Sequence, residues 1–197
     1  MKRNTVITIS CSFGSGGRQI SRILAEKISV KRYDCTVVAM AAEKLSAGDP
    51  IEDVINRSYK MPETRLTALG DVAFDRVLTY NQLYIEQGKI IRAIAAKGEG
   101  AVFLGRCGDV VLAEQPDVYS FFICADDEFR TRRAQTHYGG MSLKQLDEIE
   151  NKRKNYYSFY TGKTWGDPLN FDLTINTSRV PLEKAADLIL SYVKFCQ

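Results

Sequence analysis

The segment Cys11-Ser12-Phe13-Gly14-Ser15-Gly16-Gly17-Arg18 carries the clearest chemical signal in the chain. It joins a short β-branched apolar run, Val6 to Ile9, to a stretch in which Ile20, Ile23, Leu24 and Ile28 share one helical face. That order is strand, loop, helix. The first turn of a helix offers backbone N–H groups with no intrahelical partner, and the helix dipole favours an anion there. Glycines let such a backbone approach the anion closely. Gly14, Ser15, Gly16, Gly17 and Arg18 would together form a concave nest of N–H groups suited to a phosphate. The alternative is a tight strand-to-helix turn that binds nothing.

Phosphate loops of the commonest type end in Gly-Lys-Ser/Thr, where lysine reaches the outer phosphates and the hydroxyl holds Mg²⁺. Here Gly17 stands at the lysine position, Arg18 follows, and the next hydroxyl is Ser21. Arg18 brings charge as a planar fork rather than a compact ammonium. Phosphate binding is thus a more secure expectation than phosphoryl transfer.

Other basic residues could meet the same anion. Arg106 follows the apolar run Ala101 to Leu104, which puts it at the carboxyl end of a strand, where open α/β sheets bind ligands. It either grips an acceptor phosphate in bidentate fashion or pairs with a carboxylate such as Asp109. Arg130, Arg132 and Arg133 lie on one expected helix, Arg130 and Arg133 on a common face, with a solvated polar face as the plain alternative. Arg153 falls on the stripe of Leu146, Ile149, Tyr156 and Tyr160, where an apolar residue belongs. An arginine there needs an anion, which is either a phosphate or a carboxylate such as Glu150 or Asp167. Asp34 could touch an acceptor or cap a helix. His137 has no partner at a spacing that suggests catalysis, and reads as a surface residue. Trp165 and Tyr156, Tyr157 and Tyr160 could stack a base, although aromatic residues at helical spacing more often build core.

The elements that position these residues follow from periodicity. Short, largely non-alternating apolar runs at 6–9, 101–104, 119–124 and 173–175 predict buried parallel strands. Helical patterns occupy about 52–96, 126–137, 142–160 and 181–195. Ser142 with Gln145 forms a capping box, Asp126 to Glu128 place acid in a first turn, and Pro181 suits an opening turn. Alternating strands and helices imply a parallel sheet with right-handed crossovers, an α/β fold. The interval 34–47 fits either a second strand or a helix.

Composition narrows the class. At 197 residues the chain can bury a core without staples, and 45% hydrophobic with 26% charged residues excludes disorder. A net charge of +3 is too small to imply a general binder of nucleic-acid polymers. No run approaches the ~18 apolar residues of a membrane span, and Met1 to Asn4 lead into the first strand with no cleavage site. Five scattered cysteines with no C-x-x-C pair read as reduced thiols, so the expected location is cytoplasmic, with no membrane partner.

Taken together, Ile7-Thr8-Ile9-Ser10, Gly14-Ser15-Gly16-Gly17-Arg18, Tyr33-Asp34, Gly105-Arg106-Cys107, Tyr156-Tyr157, Trp165-Gly166-Asp167, Phe171-Asp172-Leu173 and Asn176-Thr177-Ser178 resemble the cytidylate kinase-like family, a branch of the nucleoside monophosphate kinases, over almost the whole chain. In that family the loop commonly reads Ser-Arg-x-x-Gly-Ser-Gly-Gly, so Gly17 is a family trait and Cys11 is this chain's departure.

The resemblance implies a three-layer P-loop fold in one domain over 1–197. A central parallel sheet carries helices on both faces, an acceptor-binding helical segment spans about 35–97, and a helical lid spans about 130–168. It also implies ATP and Mg²⁺ as cofactors, with phosphoryl transfer to a nucleoside monophosphate, CMP-like, or a similar small phosphorylated acceptor. A regulatory nucleotide-binding module and a kinase of another small molecule are the alternatives. Under this reading Gly14, Ser15, Gly16, Gly17 and Arg18 hold the donor, and Asp34, Arg106 and Asp109 face the acceptor. Arg18, Arg130, Arg133 and Arg153 neutralise the migrating charge. The metal ligands stay unassigned, and the 52–96 stretch is the place for a homodimer surface, should one exist.

Overall fold

A computed structural model describes residues 1–45, 53, 54, 59 and 70–197, with the backbone alone over 70–80. Its centre is a five-stranded sheet in the order β2-β3-β1-β4-β5. The strands are β1 (Val6–Cys11), β2 (Lys31–Tyr33), β3 (Ala101–Leu104), β4 (Val118–Cys124) and β5 (Leu173–Asn176), and every pairing is parallel. All of β1 is buried, because helices cover both sheet faces, and this is why its sequence does not alternate. The structure thus adopts the three-layer α/β P-loop fold.

One face is covered by α1 (Gly17–Lys27) and α7 (Leu182–Phe195). Ile20, Ile23 and Leu24 of α1 pack with Ile189 and Val193 of α7 against Ile7, Ile9 and Phe121. The opposite face carries α2 (Cys35–Lys44) and α3 (Gly70–Ala95), whose Val37, Val38, Ile91 and Ile94 meet Val6 and Phe103. Within the 34–47 interval Cys35–Lys44 is a helix, capped by Asp34, and 46–47 lie outside the described residues. A short strand precedes it, paired on one side only. Of the helical pattern expected over 52–96, the portion Gly70–Ala95 is one helix, while 46–52, 55–58 and 60–69 lie outside the described residues.

A single turn, α4 (Gly108–Val111), follows β3. The helices α5 (Asp127–His137) and α6 (Leu143–Thr161) reach the loop after β1 through Arg130, Glu150 and Arg153. Their boundaries follow the expected caps. The Phe129 N–H donates to Asp126 Oδ1 at 2.8 Å, and Ser142 and Gln145 exchange side-chain and backbone bonds as a capping box. Gly162 ends α6 with φ 69°, the left-handed turn glycine makes at low cost. Pro168–Asn170 is one 3₁₀ turn, capped by Asp167, whose Oδ1 accepts the Leu169 N–H at 3.0 Å. No helix among the described residues is long and apolar enough to cross a membrane.

Candidate functional site

The strand order reverses around β1, so β1 and its neighbours open a crevice at their carboxyl ends. In register, Ile9 lies beside Leu104 and Cys11 beside Ile123, and the Gly105 N–H donates to the Ile9 carbonyl at 2.8 Å. The glycine loop and the Gly105-Arg106 turn consequently emerge side by side.

The loop is shaped as the glycines suggested. Gly14 and Gly16 both have φ 91°, which a residue with a Cβ rarely adopts. A Cβ on Gly16 would lie 2.7 Å from Leu182 Cδ2. The Ser15 hydroxyl is turned inward, within 2.8 Å of the Ser12 carbonyl and 3.1 Å of the Ile123 carbonyl. Thr177 Oγ1 donates to the Ser15 carbonyl at 2.7 Å, tying the end of β5 to the loop. Among the described residues, the backbone N–H groups of Gly14, Gly16, Gly17 and Arg18 have no hydrogen-bond partner. A succession of unpartnered amides at a helix start fits a phosphate, although Gly14, Gly16 and Gly17 are buried against the side chains of Arg130, Leu182 and Cys11.

The first part of the loop is held from α5 and α6. The Arg130 Nε–H donates to the Phe13 carbonyl at 2.9 Å, and its two Nη groups reach Asp127 and Asp147, each at 2.9 Å. Arg153 Nη1 donates to the Cys11 carbonyl at 2.9 Å. No carboxylate stands within ion-pair distance of Arg153 among the described residues; its guanidinium faces the Phe13 ring at 5.0 Å and the Tyr59 ring at 5.8 Å. Glu150, between them on the inward face of α6, accepts the Phe13 N–H at 2.7 Å and the Trp165 indole N–H at 2.7 Å.

Arg106 reaches this mouth from the other side. It is 9% exposed, and its guanidinium lies 4.4 Å from the centre of the same Tyr59 ring. Arg106 and Cys107 have φ 60° and 54°, two successive non-glycine residues in the left-handed region. Such strain costs about 1–3 kcal/mol per residue and gathers at functional sites.

The remaining residues singled out from sequence have the following surroundings. Arg18 is exposed, and its charge bears on Asp34 and Cys35. Asp34 accepts the Thr36 N–H at 3.4 Å as the cap of α2 and pairs with Arg32 at 2.8 Å. Burial raises its pKa, but Arg32, the Cys35 thiol and the Thr36 N–H outweigh that effect and hold the carboxyl below its ordinary range. Arg133 reaches Gln19 Oε1 on α1 at 3.5 Å. Asp109 is buried against the tyrosines of α6, where the Tyr157 hydroxyl donates to its Oδ2 at 2.7 Å while Oδ1 has no hydrogen-bond partner among the described residues. Burial raises the Asp109 pKa, and the Tyr157 bond offsets this only in part. His137 is exposed and within 2.6 Å of Thr136 Oγ1. Tyr156, Tyr157 and Trp165 pack with Tyr59, Tyr84 and Cys107 as a small aromatic core.

Two contributors escaped sequence reasoning as site residues. In the sequence Glu150 reads only as a carboxylate partner for Arg153, although its i+4 spacing from Leu146 marks an inward position. Tyr59 carried no local signal at all.

Fold and loop together define a P-loop protein of the kinase type. The chain belongs to the cytidylate kinase-like family, whose model matches residues 6–179. An uncharacterized protein from Eubacterium ventriosum has a similar structure at 25% identity, with a TM-score of 0.71 over 96% of this chain and 98% of that one. Shikimate kinase from Acinetobacter baumannii, solved with shikimate, is similar at 15% identity, with a TM-score of 0.55 over 98% of this chain and 94% of that one. A gluconokinase from Sinorhizobium meliloti is similar at 13% identity, with a TM-score of 0.56 over 100% of this chain and 95% of that one. The last two likenesses concern the fold. No curated protein matches the chain.

Proposed function

We propose that this chain catalyses ATP-dependent phosphoryl transfer to a nucleoside monophosphate, with a CMP-like acceptor. One observation carries the reading: the amides of Gly14, Gly16, Gly17 and Arg18 have no partner among the described residues, while Arg153 bonds the Cys11 carbonyl at the start of the same loop and shares the Tyr59 ring with Arg106. Family membership supports the choice of acceptor.

In this reading the loop from Gly14 to Arg18 holds the donor phosphates, and bound ATP supplies the phosphoryl group. Arg106 takes the acceptor phosphate as a fork, with Asp34 and Asp109 on the acceptor side. Arg18, Arg130, Arg133 and Arg153 neutralise charge around the migrating group, which is where such reactions gain most. An ionised phosphate acceptor needs no general base. Mg²⁺ would be carried mainly on the donor phosphates. Segments 35–97 and 130–168 serve as acceptor side and lid. Free thiols at all five cysteines support a cytoplasmic setting.

A second reading, a nucleotide-binding module of weak activity, is favoured by a specific observation. Arg130 is engaged by Asp127 and Asp147, and Gly17 leaves the loop without a lysine. The test is an ADP-release assay with Mg-ATP against CMP, UMP, AMP, GMP, shikimate and gluconate. Turnover greatest with CMP is the expected result. Turnover with a hydroxy acid instead would replace the acceptor class, and thermal stabilisation by ATP with no turnover on any acceptor would favour the module.

A further inference from the structure

Glu150 is the most deeply placed charged residue on α6, at 6% exposure. Its carboxylate has two neutral donors, the Phe13 amide on Oε2 and the Trp165 indole on Oε1, and no cation within ion-pair distance among the described residues. A carboxylate withdrawn from water into so few neutral bonds recovers only part of its hydration. The donor it occupies is also of a particular kind. Phe13 adjoins the unpartnered amides of the phosphate loop, so an anion of the protein's own already stands at one end of a nest shaped for anions.

Glu150 also has somewhere to go. It lines a cavity of about 400 Å³ with Ser12, Asn151, Lys154 and Trp165. Lys154, one turn further along α6, is exposed and stands at the i+4 position that favours a Glu–Lys pair. Arg130 and Arg153 bond to backbone carbonyls of the loop and do not fix Glu150 in place.

We propose that Glu150 is a positioning residue of the donor site. It holds the phosphate loop, α6 and the Trp165 turn together in the nucleotide-free protein, and the terminal phosphate of a nucleoside triphosphate takes its place at the Phe13 amide. Displacement frees Trp165 and lets α6 shift, so filling of the loop is reported to the lid. The inference rests on the reading of the loop as a donor-phosphate site.

Trp165 is the only tryptophan in the chain, so its emission reads the contact without labels. The intact protein is titrated with Mg²⁺ and adenosine 5′-(β,γ-imido)triphosphate, and separately with ADP, with occupancy followed by calorimetry. The triphosphate is expected to change Trp165 emission at saturation and ADP to leave it unchanged. Glu150→Ala, which accepts neither bond, should start near the emission of the triphosphate-bound protein and bind the triphosphate about threefold or more tighter, because the competing state is removed. Its affinity for ADP should not move. Saturation by the triphosphate with unaltered emission, an equal change with ADP, or no gain in triphosphate affinity in the variant overturns the role of Glu150 alone. Failure of both nucleotides to bind overturns the donor-site reading with it. The wild-type titration decides the matter even where the variant does not fold.

Discussion

Cys11 and Gly17 occupy one another's space: a Cβ on Gly17 would lie 2.4 Å from the Cys11 Cβ and 2.6 Å from its Sγ. The position that carries lysine in common phosphate loops is closed here by the side chain at the end of β1. Any side chain at position 17 would meet Cys11, and the guanidiniums that bond the loop's carbonyls come from later in the chain, Arg130 at Phe13 and Arg153 at Cys11.

Gly17→Ala should destabilise the protein by about 1–3 kcal/mol through overpacking, although alanine is otherwise the better helix former. Cys11→Gly in the same chain should recover part of that loss, beyond the sum of the single effects. Denaturant midpoints of the four proteins in the cycle measure it. Additive effects would mean that the two side chains do not compete.

Arg153→Lys keeps the charge but not the fork, and shortens the reach to the Cys11 carbonyl. If Arg153 stabilises the migrating phosphoryl group, kcat should fall about 10²-fold or more, with a much smaller change in the KM for ATP. Equal loss in kcat and in thermal stability would instead assign Arg153 to holding the loop in shape.

What the sequence revealed depended on whether a residue's role was local. The first strand, its loop and α1 were legible because Ile20, Ile23 and Leu24 mark a single buried face and the glycines mark the turn. Arg153 stood out because a charge interrupted an apolar stripe. The strand Lys31–Tyr33 did not, since it is short, pairs on one side only and shows no buried pattern. Glu150 was hidden among the charged residues of α6, where a glutamate ordinarily faces water. Tyr59 bridges Arg106 and Arg153 through tertiary contacts that no periodicity encodes.

Asp109 should make stability depend on pH in the direction opposite to that of a salt-bridged carboxylate. Burial raises its pKa above the ordinary 3.8, so the native state keeps a proton over a range where the unfolded chain has lost it. Stability conferred below pH 3.8 is then lost as pH rises through the interval up to the folded-state value, and is level beyond it. Asp109→Asn, which still accepts from Tyr157, should flatten that decline. Chemical denaturation from pH 4 upward checks it, and an unchanged slope in the variant would place the titration elsewhere.

If Arg106 takes the acceptor phosphate, its replacement should be felt by the acceptor and not by the donor. Its guanidinium lies against Tyr59, in the turn after β3, while the unpartnered amides belong to the loop after β1. A lysine there retains charge but cannot form two parallel bonds to a phosphate. Arg106→Lys should therefore raise the KM for the monophosphate about tenfold or more, with the KM for ATP and the calorimetric affinity for ADP little changed. Because the backbone at 106 sits at φ 60°, the variant carries the same strain as the parent, and a difference in kinetics cannot come from that source. Loss of ATP affinity in step with acceptor affinity would show that Arg106 serves the donor, and would move the acceptor site away from the Gly105-Arg106 turn.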